Sequence, residues 1–95
     1  MLIDIEEVWK KISEKENKTF KTFSGLEFSY TVKGHEIFIS RKNKSITYSS
    51  VKKALEEVEK LNGVVSGPKK LGVFGASYIY PILMEIGVIQ SAIIS

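Results

Sequence analysis

The period of the apolar positions changes twice along this chain. Ile5, Val8, Trp9 and Ile12 fall at i, i+3, i+4 and i+7, with Leu2 one turn earlier, which predicts an amphipathic helix over residues 2–16 that stops at Asn17. From Phe20 to Ser40 the period drops to two, and Gly25 and Gly34 divide that stretch into three short strands. Beyond Ser45 the helical period returns: Val51, Ala54, Leu55, Val58 and Leu61 form one stripe. Thr47 is placed to cap this second helix, Ile46 and Val51 to staple its entry, and Gly63 to end it.

Facing arguments set the strand registers. A two-residue Lys33-Gly34 loop pairs Val32 with His35, Tyr30 with Ile37 and Phe28 with Ile39. For the first hairpin, a three-residue loop with Gly25 left-handed pairs Thr22 with Leu26 and Phe20 with Phe28. The opposite sheet face then carries Lys21, Glu27, Ser29, Thr31, Glu36 and Phe38, polar except for one aromatic ring.

Residues 62–76 are rich in glycine but hold no Gly-Lys-Ser/Thr phosphate loop. Ser77 opens a third helix with Ile79, Ile82, Leu83 and Ile86 on its apolar face, Pro81 near its first turn and Gly87 as its stop. An apolar tail, Val88 to Ser95, follows. The expected fold class is therefore α+β: an N-terminal helix, a three-stranded antiparallel meander, two further helices and an apolar C-terminal tail, in a single small domain of residues 1–95.

Length sharpens this picture. A chain of 95 residues buries roughly 60–65% of its unfolded surface, enough for one core but not for a deep enclosed site as well. Shallow sites are expected. No cysteine is present, so disulfides and thiolate ligands are excluded. The start of the chain is acidic and amphipathic, unlike a signal peptide, and no apolar run is long enough to span a bilayer, so the expectation is a cytoplasmic protein with no membrane partner.

Charge is unevenly distributed. The net charge is +3, but residues 18–53 hold eight Lys/Arg against Glu27 and Glu36, while the flanking thirds are slightly acidic. The excess centres on Ser40-Arg41-Lys42-Asn43-Lys44-Ser45, read as a loop between a strand end and a helix start. Free helix N–H groups beside cations and hydroxyls can hold a phosphate. Arg41, Lys42, Lys44, Lys52 and Lys53 are accordingly the candidate contacts to nucleic acid or another polyanion, with Tyr48 expected outward beside them. The other reading is a solvated loop with ordinary caps.

A second candidate surface is apolar. Phe38, Tyr78, Ile93 and Ile94 are placed for a protein partner or a homodimer, against the plainer reading in which Tyr78 and Tyr80 roof the core. Catalysis finds little support: His35 stands alone at a strand start, no acid pair has a catalytic spacing, and no metal set or cofactor motif is present. The expectation is a non-enzymatic module with no cofactor and no metal.

The succession Phe20-Lys21-Thr22-Phe23-Ser24-Gly25-Leu26-Glu27-Phe28-Ser29-Tyr30, then Ser40-Arg41 before Ile46 and a helix, then Gly75-Ala76-Ser77-Tyr78-Ile79-Tyr80, resembles a small uncharacterised bacterial domain. It spans most of residues 19–90. The resemblance implies a compact α+β module in which Arg41 and the Ser77-Tyr78 turn matter, and it carries no activity.

Overall fold

The computed structural model describes residues 3–41 and 45–90. Helix α1 (Ile5–Glu14) begins at Asp4, whose carboxylate accepts the Glu6 N–H at 3.0 Å, and its apolar stripe buries Val8, Trp9 and Ile12. Asn17 follows in the left-handed region at φ 69°. Strands β1 (Phe20–Lys21) and β2 (Glu27–Phe28) then form an antiparallel hairpin. Its register is Phe20 opposite Phe28, the Thr22 N–H donates to the Leu26 carbonyl at 2.8 Å, and Gly25 turns at φ 94°. The three-residue loop read from the sequence is therefore the observed one.

Strand β3 (Tyr30–Lys33) continues the same direction after Ser29 and pairs with β4 (Glu36–Ile39), which pairs in turn with β5 (Ser45–Thr47). The second register differs from the expectation. Tyr30 stands opposite Ile39 and Val32 opposite Ile37, so the two-residue loop is Gly34-His35 rather than Lys33-Gly34. The physical reason lies in the turn: Gly34 has φ 57°, and placing it first puts the residue without a Cβ where the chain needs positive φ. A slip of two leaves each side chain on its own face, which is why Tyr30, Ile37 and Ile39 are buried as the alternation requires.

Ile46, at the centre of β5, is also buried. Thr47 then caps α2 (Tyr48–Lys60), accepting the Ser50 N–H at 3.2 Å, and the helix buries Val51, Ala54, Leu55 and Val58. Leu61, expected on that stripe, lies past the last turn and is exposed. Asn62 and Gly63 both take positive φ beyond it, and the Gly63 N–H returns to the Val58 carbonyl.

A single 3-10 turn (Pro68–Leu71) leads to α3 (Ala76–Ile86), which ends at Gly87 with φ 91°. The chain then meets itself again: Gln90 bridges Val64 in parallel, donating to the Gly63 carbonyl at 2.7 Å and accepting from the Val65 N–H at 3.0 Å. Two buried phenols tie helices and loops together. Tyr30 donates to the Ile12 carbonyl and Tyr80 to the Val65 carbonyl, each at 2.7 Å. The core lies between the helices and the inner sheet faces, where Phe28 meets Tyr78 edge-on at 5.0 Å between ring centres.

Candidate functional site

The described residues at either end of the basic segment adjoin strands. Ser40 and Arg41 follow β4, and the chain re-enters the sheet as β5 before any helix starts, so the connection joins strand to strand. The three residues of β5, at about 3.3 Å each, put the α2 N-terminus roughly 10 Å along the chain from the start of that strand. The helix start instead lies beside the β3–β4 turn, where the Tyr48 N–H donates to the His35 carbonyl at 2.8 Å. Of the loop cations, Arg41 is the one described, and it precedes β5 while the helix donors follow it.

Arg41 is exposed, yet its Nε donates to the Glu27 carbonyl at 2.7 Å and so braces β2. Lys52 and Lys53 are exposed on α2, while Lys42 and Lys44 lie outside the described residues. Tyr48 is not turned outward beside them. Its ring meets Trp9 at 5.1 Å and His35 at 4.8 Å, and its hydroxyl reaches Glu6. Partial burial, reinforced by the Glu6 carboxylate, holds the Tyr48 phenol above its ordinary value. His35 is thereby accounted for as part of an aromatic junction. Among the described residues no group of three or more His, Asp or Glu could hold a metal ion.

The apolar candidates also separate. Phe38 is 40% exposed on the outer face of β4, but Tyr78 is only 8% exposed and its ring belongs to the core against Phe28. The plainer reading of Tyr78 and Tyr80 is the observed one. Ile93 and Ile94 lie outside the described residues.

A different apolar feature stands out. Phe23, at the tip of the β1–β2 hairpin, is 64% exposed, and Leu26 across the loop is 49% exposed. The loop is well braced from within. Thr22 is buried, and its Oγ1 accepts the Leu26 N–H at 3.0 Å and lies 3.1 Å from Ser24 Oγ. The Phe23 ring rests edge-on against Tyr80 at 5.9 Å.

Phe23 forms a ridge between two surface grooves. The first, about 550 Å³, runs between the β1 edge with Lys18 and Lys21 on one side and Tyr80, Pro81, Met84 and Glu85 of α3 on the other. The second, about 640 Å³, lies between Thr22 and Ser24 of the hairpin and the segment from Pro68 to Ser77, with Lys69 at its margin. Among the described residues the one ion pair is Lys60 with Glu57, so Lys18, Lys21 and Lys69 have no carboxylate partner there.

Of these lining residues, the sequence singles out Ser77 and Tyr80 but not Phe23, Lys18, Lys21 or Lys69, although a signal for Phe23 is present. The Thr22–Leu26 hydrogen bond leaves Phe23-Ser24-Gly25 as the loop, and a phenylalanine at the tip of a three-residue turn buries only part of its ring. Comparison with protein-family models, with curated proteins and with solved structures found no match for this chain. Among the described residues no helix is long and apolar enough to cross a membrane.

Proposed function

We propose that this chain is a protein-docking module that receives a segment of a partner across the Phe23 ridge. The observation that carries this reading is the exposed aromatic ring on a loop already braced by Thr22, with a groove on either side. Burying a phenylalanine side chain contributes about 1.5–3 kcal/mol. A ring on an ordered turn delivers most of that gain to a partner, because little conformational freedom remains to be lost on binding.

Contact with nucleic acid or another polyanion through Arg41, Lys42, Lys44, Lys52 and Lys53 is the competing reading. It rests on charge alone, since the helix donors that would complete a phosphate site lie at the other end of β5. Ligand discovery and oligonucleotide titration separate the two. A phage-displayed octapeptide library is panned on the wild-type chain and on Phe23→Ser, while labelled single- and double-stranded oligonucleotides are titrated across a salt series. Peptides enriched on the wild type that lose binding on Phe23→Ser support docking. Salt-sensitive oligonucleotide binding abolished by Arg41→Glu, with no peptide enriched, gives the site to a polyanion instead.

A further inference from the structure

Antiparallel pairing alternates between residue pairs that exchange hydrogen bonds and pairs whose main-chain groups point outward. Thr22 bonds to Leu26, so the next pair, Lys21 with Glu27, is an outward one. The N–H and C=O of Lys21 therefore point away from β2, and β1 is the edge of its sheet. Lys21 also lines the groove between β1 and α3.

The equivalent edge of β3 is closed. There Asn17 donates its N–H to the Tyr30 carbonyl at 2.8 Å, and the Val32 N–H is taken by Glu16 Oε1 at 2.9 Å. On β1 no described residue bonds to the Lys21 main chain. An edge left open beside a helix is the geometry in which an extended peptide adds a strand.

Charge selects the occupant. Lys18 and Lys21 flank the edge without ion-pair partners, and the groove contains one carboxylate, Glu85. A second copy of this chain pairing edge to edge would bring like lysines together, which is unfavourable. Facing supplies the rest. Residues opposite one another share a face, so a ligand residue opposite Lys21 projects on the outer face, beside the Lys21 ammonium. Its two neighbours project to the face of Phe20 and Phe28, against which α3 packs through Tyr78.

We propose that the groove between β1 and α3 binds an extended partner segment as an added strand, with an acidic residue opposite Lys21 flanked on both sides by apolar residues. Its carboxylate pairs with Lys21 and Lys18, and its apolar neighbours lie on Tyr80 and Met84. The inference rests on the docking reading of the Phe23 ridge and names the partner's chemistry.

The test uses octapeptides selected on the wild-type chain, with affinities measured by fluorescence anisotropy for Lys21→Ala and Lys21→Pro. Alanine removes the charge and keeps the outward N–H; proline removes that N–H too, and edge positions tolerate it. The expected result is enrichment of apolar-acidic-apolar triplets and binding to Lys21→Pro at least about tenfold weaker than to Lys21→Ala. Should Lys21→Pro fail to fold, N-methylation of each ligand amide in turn takes its place, and losses at alternate positions are expected. Enriched peptides without acids, equal binding to both variants, or an N-methyl scan without alternation would overturn the proposal. Peptides that need Phe23 but ignore Lys21→Pro defeat strand addition and leave docking standing, whereas no enriched peptide defeats both.

Discussion

Replacing Gly75 with alanine tests how α3 is seated on the sheet. Gly75 stands at the helix N-cap with φ 76°, and a Cβ built there would lie 2.6 Å from Ile46 Cδ1 and 2.7 Å from Ile46 Cγ1. Two costs arise. Holding an L-residue in the left-handed region costs about 1–2 kcal/mol. Ile46 is 1% exposed and pairs with Ile37 on β4, so it moves only by disturbing the sheet; overpacking of this kind costs about 1–3 kcal/mol. The expected loss is therefore about 2–5 kcal/mol, a large fraction of the roughly 5–14 kcal/mol typical of a domain this size. Urea unfolding followed by far-UV circular dichroism measures it. Gly72→Ala is the control, because Gly72 has φ 62° with nothing within 4 Å of a built Cβ, leaving the backbone cost alone. In an Ile46→Ala background the steric part should vanish and Gly75→Ala should cost no more than Gly72→Ala. If Gly75→Ala and Gly72→Ala were equally costly in the wild-type background, close packing of Ile46 on the helix start would be refuted.

Tyr30→Phe should cost about 1 kcal/mol, since it removes the hydrogen bond to the Ile12 carbonyl. Burial, aided by the Glu16 carboxylate, raises the Tyr30 phenol above its ordinary value of 10.0, so its stabilisation is complete below pH 10 and is lost as pH rises further. Urea unfolding across pH 8–11.5 should show the gap between wild type and Tyr30→Phe narrowing above about pH 10; a constant gap would contradict that environment. Phe23→Ser should change stability by no more than about 0.5 kcal/mol, as an exposed substitution, whereas Phe28→Ala should cost about 3–5 kcal/mol. Thermal and urea unfolding of the pair check this, and a costly Phe23→Ser would make the ridge a structural element.

The helices were the most legible part of the chain. Their stripes, the Thr47 cap and the Gly87 stop are local signals, and apart from Leu61 at the end of the α2 stripe they stand where their chemistry predicts. The sheet was legible in facing but not wholly in register, because slipping by two around Gly34 preserves every side chain's side. Strand β5 was hidden by its brevity: Ser45-Ile46-Thr47 has one apolar residue and also serves as the lead-in to α2. That hidden strand stands in the chain between Arg41 and the start of α2. Tyr78 illustrates the other limit, since whether a helical aromatic faces in or out depends on partners such as Phe28, distant in sequence. Phe23 alone among the groove residues could be inferred locally, from the loop length.

The break at Ser29 divides one long strand into β2 and β3, with the first half paired to β1 and the second to β4. Across the break, continuity is kept by the Ser40 hydroxyl accepting the Ser29 N–H, the Ser40 N–H returning to the Ser29 carbonyl, and Arg41 reaching Glu27. Two of these three tethers are side chains, which water can replace far more readily than a strand ladder. The β1–β2 hairpin is therefore joined to β3 and β4 by few main-chain bonds and is held in place by Phe20 and Phe28, which are buried against Tyr30 and Tyr78. The placement of the Phe23 loop is thus set by two buried rings together with Ser40 and Arg41, and the latter two touch neither groove.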